Sequence, residues 1–349
     1  MAVSTGATSA LDRAVTSYEA LQKNFYQPGD RLYRDSNGQT AYAWPFSQAF
    51  GATVDLASLP DAGARFREDL KERLDGLAHY WNGHSHPPAY DSVVRTLFGL
   101  AGGGDQYSDD NEWIGLELTR AADLLNDPGA LEQAKKVFAF VVAGWDDDSS
   151  HAAPGGVFWK RDGHLLDRNT VANAPGAQLG LRLHLKSGDI DSLSWAQRMY
   201  DWVDKNLRSP EGLYWDHLDP TGNIERTTWS YNQGTMIGAG VLLARATHDS
   251  RYLDRARQTA QAALTHYGAD GQLERQGLAF NAIFFKNLAL LDEETHDGTY
   301  KQPLSDYTEQ LWTSKRDAST GLFRPEANRG PAVLSQAAAV RLYATLAAA

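Results

Sequence analysis

A glycine-led turn returns along this chain at nearly even intervals, and that periodicity restricts the fold more than any bulk property. Gly156-Val157-Phe158-Trp159, Gly212-Leu213-Tyr214-Trp215, Gly271-Gln272-Leu273 and Gly321-Leu322-Phe323 stand roughly 50–60 residues apart, with Gly29-Asp30-Arg31-Leu32-Tyr33 as a degenerate first copy. An aspartate-containing turn also recurs before one helix of each unit, at Asp61, Asp127, Asp189, Asp249 and Asp297. Between these turns run segments with the 3.6-residue apolar spacing of helices. One set is amphipathic with a charged outer face: 7–25, 61–80, 128–143, 189–207, 250–267 and 299–314. The other set has more small and apolar residues and fewer charges: 43–57, 110–125, 172–186, 231–247, 280–293 and 333–348. Small residues such as Gly234, Gly238, Ala239 and Gly240 let backbones approach closely, as an inner ring requires. Six outer and six inner helices in strict alternation predict an all-α (α/α)6 barrel, with 1–349 as one domain. An open α-solenoid is the rival arrangement, and the closed count of six favours the barrel.

Charge and missing motifs remove several functions. The net charge of −11 is spread along the chain, which argues against nucleic acid or an anionic membrane surface as partner. There is no cysteine, hence no disulfide, thiolate metal site or thiol nucleophile. No stretch approaches the ~18 apolar residues of a membrane span. Residues Met1–Ala10 carry neither a basic region nor an apolar run, so the expected setting is a secreted or cell-surface domain without its signal, or the cytoplasm. Phosphate-binding loops, dinucleotide fingerprints, His-Glu-x-x-His and Gly-x-Ser-x-Gly are all missing, and no cofactor is expected. His84-Ser85-His86 offers too few ligands for a metal centre. The run Asp146-Asp147-Asp148 reads as a solvated turn without the ordered spacing of a calcium loop. A monomer is the default.

The barrel gives the remaining motifs a common place. Inner helices of such a fold all start at the same end, so their N-terminal loops share one rim. Those starts read Tyr42-Ala43-Trp44, Asp109-Asp110-Asn111, Asn173-Ala174-Pro175, Trp229-Ser230-Tyr231-Asn232-Gln233, Phe280-Asn281 and Ser335-Gln336. Aromatic faces stack on sugar rings and amides bond hydroxyls, so this mixture suits a saccharide cleft. Adjacent carboxylates repel, and Asp109 with Asp110 at a helix start is costly unless the pair does work. Splitting a glycosidic bond needs one ionised and one protonated carboxyl group. The competing explanation is capping, with Ser108 or Asp109 as N-cap and a further acid in the first turn.

Three stretches carry a family resemblance: Asp-Asp-Asn-x-Trp at 109–113, Gly155-Gly156-Val157-Phe158-Trp159, and Trp229-Ser230-Tyr231-Asn232-Gln233-Gly234. Together they resemble the motifs of glycoside hydrolase family 76, in matching order from about Trp44 to Leu342. The resemblance implies an (α/α)6 barrel acting as a retaining endo-α-1,6-mannanase on a mannan polysaccharide or oligosaccharide. It implies Asp109 as nucleophile and Asp110 as general acid/base. Around them Tyr231 and Asn232 are expected at the cleaved sugar, Asn111, Asn173 and Trp159 beside it, and Trp44, Trp229 and Phe280 as sugar platforms or packing. Trp113, three residues into the helix from Asp110, is expected in the core. A non-catalytic glycan-binding protein on the same barrel, or a related barrel enzyme acting on another saccharide, remains the alternative.

Overall fold

The computed structural model describes residues 8–95, 102–161, 166–268, 271–324 and 332–349. Twelve α-helices lie among them: α1 (Ala10–Phe25), α2 (Ala43–Ala57), α3 (Arg67–Leu77), α4 (Ser108–Leu125), α5 (Pro128–Ala143), α6 (Thr170–Ser187), α7 (Ile190–Asn206), α8 (Ser230–Thr247), α9 (Ser250–Tyr267), α10 (Leu278–Thr295), α11 (Lys301–Ser314) and α12 (Ala332–Ala348). The even-numbered helices pack in sequence order and α12 returns to α2, which closes the inner ring. The odd-numbered helices lie outside it, for example α5 on α4, α7 on α6 and α9 on α8. This is the (α/α)6 barrel expected from the alternation, with helix starts within about two residues of their predicted places at most positions. Residue 7, where the first helix was expected to begin, lies outside the described residues. In the structure α1 opens at Ser9, whose hydroxyl accepts the Asp12 N–H while the Asp12 carboxylate accepts the Ser9 N–H, a reciprocal capping box.

The inner helices are buried nearly all round, and their glycines are contact points. A Cβ on Gly234 would stand 2.6 Å from the Phe284 backbone, and one on Gly238 would stand 1.8 Å from Asn287 Oδ1. Larger residues there would push α8 away from α10. The predicted outer helix 61–80 is shorter than expected: α3 is flanked by 3₁₀ turns at Gly63–Phe66 and Ala78–Tyr80. Gly63 sits so close to the end of α2 that its missing side chain would meet the Ala57 carbonyl at 2.3 Å.

Three inner helices, α4, α6 and α8, pass to outer ones through a two-residue corner, and the longer connection after α10 opens in the same way. Asn126, Gly188, His248 and His296 adopt the left-handed conformation with φ of 51°, 74°, 58° and 56°. Each ends its helix and is followed at once by one of the recurring aspartates. Asp127, Asp189 and Asp249 then accept first-turn N–H groups of α5, α7 and α9, and Asp297 accepts the Thr299 N–H at 3.0 Å. Three of the recurring aspartates, Asp127, Asp189 and Asp249, are therefore N-caps at the lower face of the barrel, whereas α11 has Tyr300 as its N-cap and Asp61 caps no helix.

Connections in the other direction, from outer to inner helix, are long and carry strands that helical periodicity did not reveal. β1 (Tyr26–Gln27) pairs with β2 (Leu32–Tyr33), β3 (Trp81–Asn82) with β4 (Ala89–Tyr90), and β5 (Arg168–Asn169) with β6 (His217–Leu218), which also pairs with β7 (Ile224–Glu225), all antiparallel. The acidic run 146–148 differs from expectation here. Asp146 is buried, with its carboxylate 2.7 Å from the fully buried Arg168 guanidinium and 3.0 Å from His151 Nδ1. Arg168 also donates to the carbonyls of Ala152, Ala153 and Asp219, so the pair fastens two rim loops together instead of lying in solvent.

Removing a corner cap should be felt without touching the rim. Asp127→Ala frees the Gly129 and Ala130 N–H groups, and denaturant unfolding should show a loss of about 1 kcal/mol.

Candidate active site

Four rim loops are tied to their inner helices by a side-chain amide that accepts a loop N–H. Asn111, near the start of α4, accepts the Tyr90 N–H at 2.8 Å and donates to the Tyr90 carbonyl at 3.0 Å. Asn173 on α6 does the same to Val157, at 2.8 and 3.4 Å. Gln233 on α8 takes Tyr214, at 2.7 and 2.9 Å. Gln336 on α12 accepts the Phe323 N–H at 3.0 Å and donates to the Ser17 and Gly321 carbonyls. Val157, Tyr214 and Phe323 belong to the repeated glycine-led turns, so the repeat and the amides are two halves of one device. This corrects two expectations. Asn111 and Asn173 are 0% exposed, with oxygen and nitrogen both committed to backbone, so they hold the rim and do not face a sugar.

The clips leave the carboxylate pair free. Capping does not explain it: the N-cap of α4 is Tyr107, which makes no side-chain cap bond. The Ser108 hydroxyl donates to the Phe158 carbonyl at 2.7 Å, and the Ser108 N–H to the Trp159 carbonyl at 2.9 Å. Asp109 Oδ1 accepts the Asp110 N–H at 3.0 Å. Burial pushes the Asp109 carboxyl up to about 6; a bond from the Trp159 indole and nearby backbone N–H groups oppose this, and the charge of Asp216 adds to it. Burial raises Asp110 well above the usual carboxylate range, and the charge of Asp109 raises it further. The two neighbours thus differ in surroundings: bonds from the Trp159 indole and backbone N–H groups oppose the rise at Asp109, while burial and the Asp109 charge both push Asp110 up.

Asp216, which sequence reasoning missed, is the third acid of the site. It immediately precedes β6, where its carboxylate takes His217 Nδ1 at 3.0 Å and Asn232 Nδ2 at 3.4 Å. The bond to Asp216 raises the His217 pKa, so the ring carries its proton more readily than usual. A signal was present, since Asp216 directly follows the Gly212-Leu213-Tyr214-Trp215 turn. Asn232 is 0% exposed and its Oδ1 has no hydrogen-bond partner among the described residues. Tyr231 lies within the fields of both Asp216 and Asp109, and its ring stacks on Phe280 at 4.0 Å and 20°. Trp229 meets Phe280 edge-on at 5.6 Å, and Trp159 packs on Tyr107 at 4.9 Å. Trp44, half-buried, packs on Trp113 at 5.7 Å, and Trp113 is buried in the core as expected.

The structure thus gathers Asp109, Asp110, Trp159, Tyr231, Asn232 and Phe280 with Asp216 at one end of the barrel. Glu112, one turn below Asp109, is a second missed acid. It is 0% exposed, neither carboxyl oxygen has a side-chain partner, and burial raises it well above the usual range, with the Asp109 charge adding to this.

A helical barrel with two adjacent buried carboxyl groups beside stacked aromatics defines a class that comparison with known proteins makes specific. The family described as Glycosyl hydrolase family 76 matches residues 5–329, and the chain belongs to it. Among curated proteins it is 26% identical over 290 residues to a mannan endo-1,6-alpha-mannosidase of Saccharomyces cerevisiae, covering 73% of this chain and 59% of that protein. The Candida glabrata protein of the same name is 24% identical, with 47% of its length covered, so the chain spans about half the length of such relatives. Among solved structures, a family 76 glycoside hydrolase from a bovine Bacteroides thetaiotaomicron strain superposes with a TM-score of 0.85 at 25% identity, covering 98% of this chain and 78% of that one. The α-1,6-mannanase of Salegentibacter sp. HEL1_6, in an inactive form with two neighbouring aspartates replaced by asparagine and α-1,6-mannotriose bound, superposes at 0.80 and 24% identity, covering 97% and 99%.

The clip has a measurable worth. Asn173→Ala strands the buried Val157 N–H, and the expected cost is about 2–3 kcal/mol in chemical denaturation, against about zero for an exposed control such as Lys205→Ala.

Proposed function

We propose that this chain is a retaining endo-α-1,6-mannanase, working as one catalytic barrel and as a monomer on extracellular mannan. One observation carries the reading: two adjacent carboxyl groups, neither of them the N-cap of α4, stand together at the rim in different surroundings, and both are raised by burial. The curated relatives' names supply the substrate class, and the bound α-1,6-mannotriose in the Salegentibacter structure is in keeping with it. Among the described residues no helix is long and apolar enough to cross a membrane.

In this mechanism the Asp109 carboxylate attacks the anomeric carbon while Asp110 gives its proton to the departing glycosidic oxygen. The C–O bond to the leaving sugar breaks as an ester bond to Asp109 forms. Asp110, now ionised, takes a proton from water, whose oxygen displaces Asp109 and restores both groups. Retention needs the two carboxyl groups only about 5–5.5 Å apart, which suits side chains that diverge by ~100° on one helix turn. Asp216 and the unpaired Asn232 Oδ1 are acceptors for sugar hydroxyls, and the stacked Tyr231 and Phe280 pair with Trp159, Trp229 and Trp44 as ring platforms.

Two measurements test this. Unbranched α-1,6-mannan should yield short manno-oligosaccharides of initially retained anomeric configuration with wild-type protein, and Asp109→Asn and Asp110→Asn should each lose at least about 10³-fold in kcat/KM. Inverted product, or normal turnover by Asp109→Asn, rejects the mechanism; binding without cleavage by the wild type makes the chain a glycan-binding protein. The pH profile supplies an independent check. Activity needs ionised Asp109, so the acid limb should fall near pH 6. Asp216→Asn removes a neighbouring negative charge, lowers the Asp109 pKa and should move that limb to lower pH, whatever it does to the maximum.

A further inference from the structure

The opposite end of the barrel holds a second polar chamber that the proposed chemistry does not use. A cavity of about 640 Å³ opens among the C-terminal halves of the inner helices. Five inner helices each send one cation into its lining: Arg120 from α4, Arg182 from α6, Arg245 from α8, Lys286 from α10 and Arg341 from α12. Asp55 from α2 and Glu117 from α4 face them at the inner wall, and Asp292 and Glu293 of α10 line the outer part, where Asp292 accepts the Tyr300 N–H. Arg120 bonds Asp55 and Glu117, at 2.6 and 2.7 Å. Lys286 reaches Asp55 at 2.6 Å, and Arg341 reaches Asp55 at 2.9 Å and the Gln48 carbonyl oxygen at 2.7 Å. Arg245 is drawn away to Glu293 and Glu294. Gly51 makes room for this packing, since a Cβ there would lie 2.5 Å from Arg341 Nη1.

The exception is Arg182. Its guanidinium makes no hydrogen bond or ion pair to any described residue, and its Nε is buried and unpartnered. At the inner wall Arg120, Arg182, Lys286 and Arg341 thus outnumber Asp55 and Glu117, while Glu293 further out is paired with Arg245. The surroundings register the excess: burial, with Arg120 and Arg341 alongside, brings Lys286 down to about 7, and burial with Arg120 brings Arg182 down to about 10. Helix C-termini favour cations, which accounts for some basic residues here but not for a buried fork without an acceptor.

We propose that this chamber binds a small dianionic oxyanion of the phosphate type, held by Arg182 and completed by Arg120 and Lys286. The planar guanidinium of Arg182 presents paired N–H donors matched to two oxygens of such an ion, and its negative charge answers the local surplus of cations. This site is separate from the carboxylate pair. Arg120 lies on the same helix as Asp109, about 16 Å further along its axis at 1.5 Å per residue.

The test is calorimetric titration of the whole chain with inorganic phosphate, against chloride at equal ionic strength. Saturable one-to-one binding is expected, weakened at least about tenfold in Arg182→Gln. Because a bound dianion favours charged Lys286, titrations at pH 7.5 in buffers of different ionisation heat should also reveal proton uptake. Arg182 has no partner to lose, so the variant's thermal midpoint in phosphate-free buffer should match wild type and show it folded. No saturable binding by wild type up to ~10 mM phosphate overturns the proposal, as does binding that Arg182→Gln leaves intact. Neither result depends on mannan hydrolysis, so the two readings fail separately.

Discussion

The bidentate bond between a helix-borne amide and one peptide unit of a rim turn is the contact on which the upper half of this molecule depends. Where an outer helix gives way to an inner one, the chain must bury a short extended segment against the start of the next helix. Its N–H and C=O would then lie away from water with no strand or helix to pair them, at a cost of a few kcal/mol for each unmet group. Asn111, Asn173 and Gln233 meet both groups of one residue at once, and Gln336 meets the N–H of Phe323. The turn glycines follow from the same demand. Gly156, Gly212 and Gly321 have φ of 80°, 90° and 74°, values that bend the chain into the amide's reach and that other residues adopt at a cost.

Polarity is arranged along the barrel axis. Five inner helices send cations to the lower chamber, as helix dipoles favour, whereas among the described inner helices acids stand in the first turn of α4 alone. On α4 both extremes occur on one element, with Asp109 and Asp110 in the first turn and Glu117 and Arg120 in the second half. The dipole and the Trp159 indole work against burial at Asp109, while nothing comparable relieves Asp110. Two consecutive residues thus meet different environments, which is what an acid pair with two roles requires.

Much of this was legible in the chain, and the omissions have physical reasons. Helical periodicity marked all twelve helices because inner and outer segments differ in how much of their circumference is apolar. The repeated aspartates were visible as turns, but their capping role required seeing the left-handed residue before them. The two-residue strands fell below any period that a sequence can show. Asn111 and Asn173 were read toward the sugar because an amide at a helix start looks the same whether it bonds a ligand or a neighbouring loop. Only the three-dimensional partner, Tyr90 or Val157, tells these apart. Asp216 and Arg182 were missed for a related reason: their meaning lies in neighbours more than 50 residues distant, Asp109 for the one and Arg120 for the other.

The two faces of the barrel differ in how freely they can be rewritten. Below, a left-handed residue and a capping aspartate turn the chain within two positions, so an inserted residue would break the cap or the turn. Above, each amide clip grips one residue at the base of a long loop and places no demand on what lies beyond it. Such a barrel can exchange rim segments piecemeal while the framework stays put. A lineage built on it can alter which branched or decorated polymers it admits by lengthening hairpins, without re-solving the problem of folding.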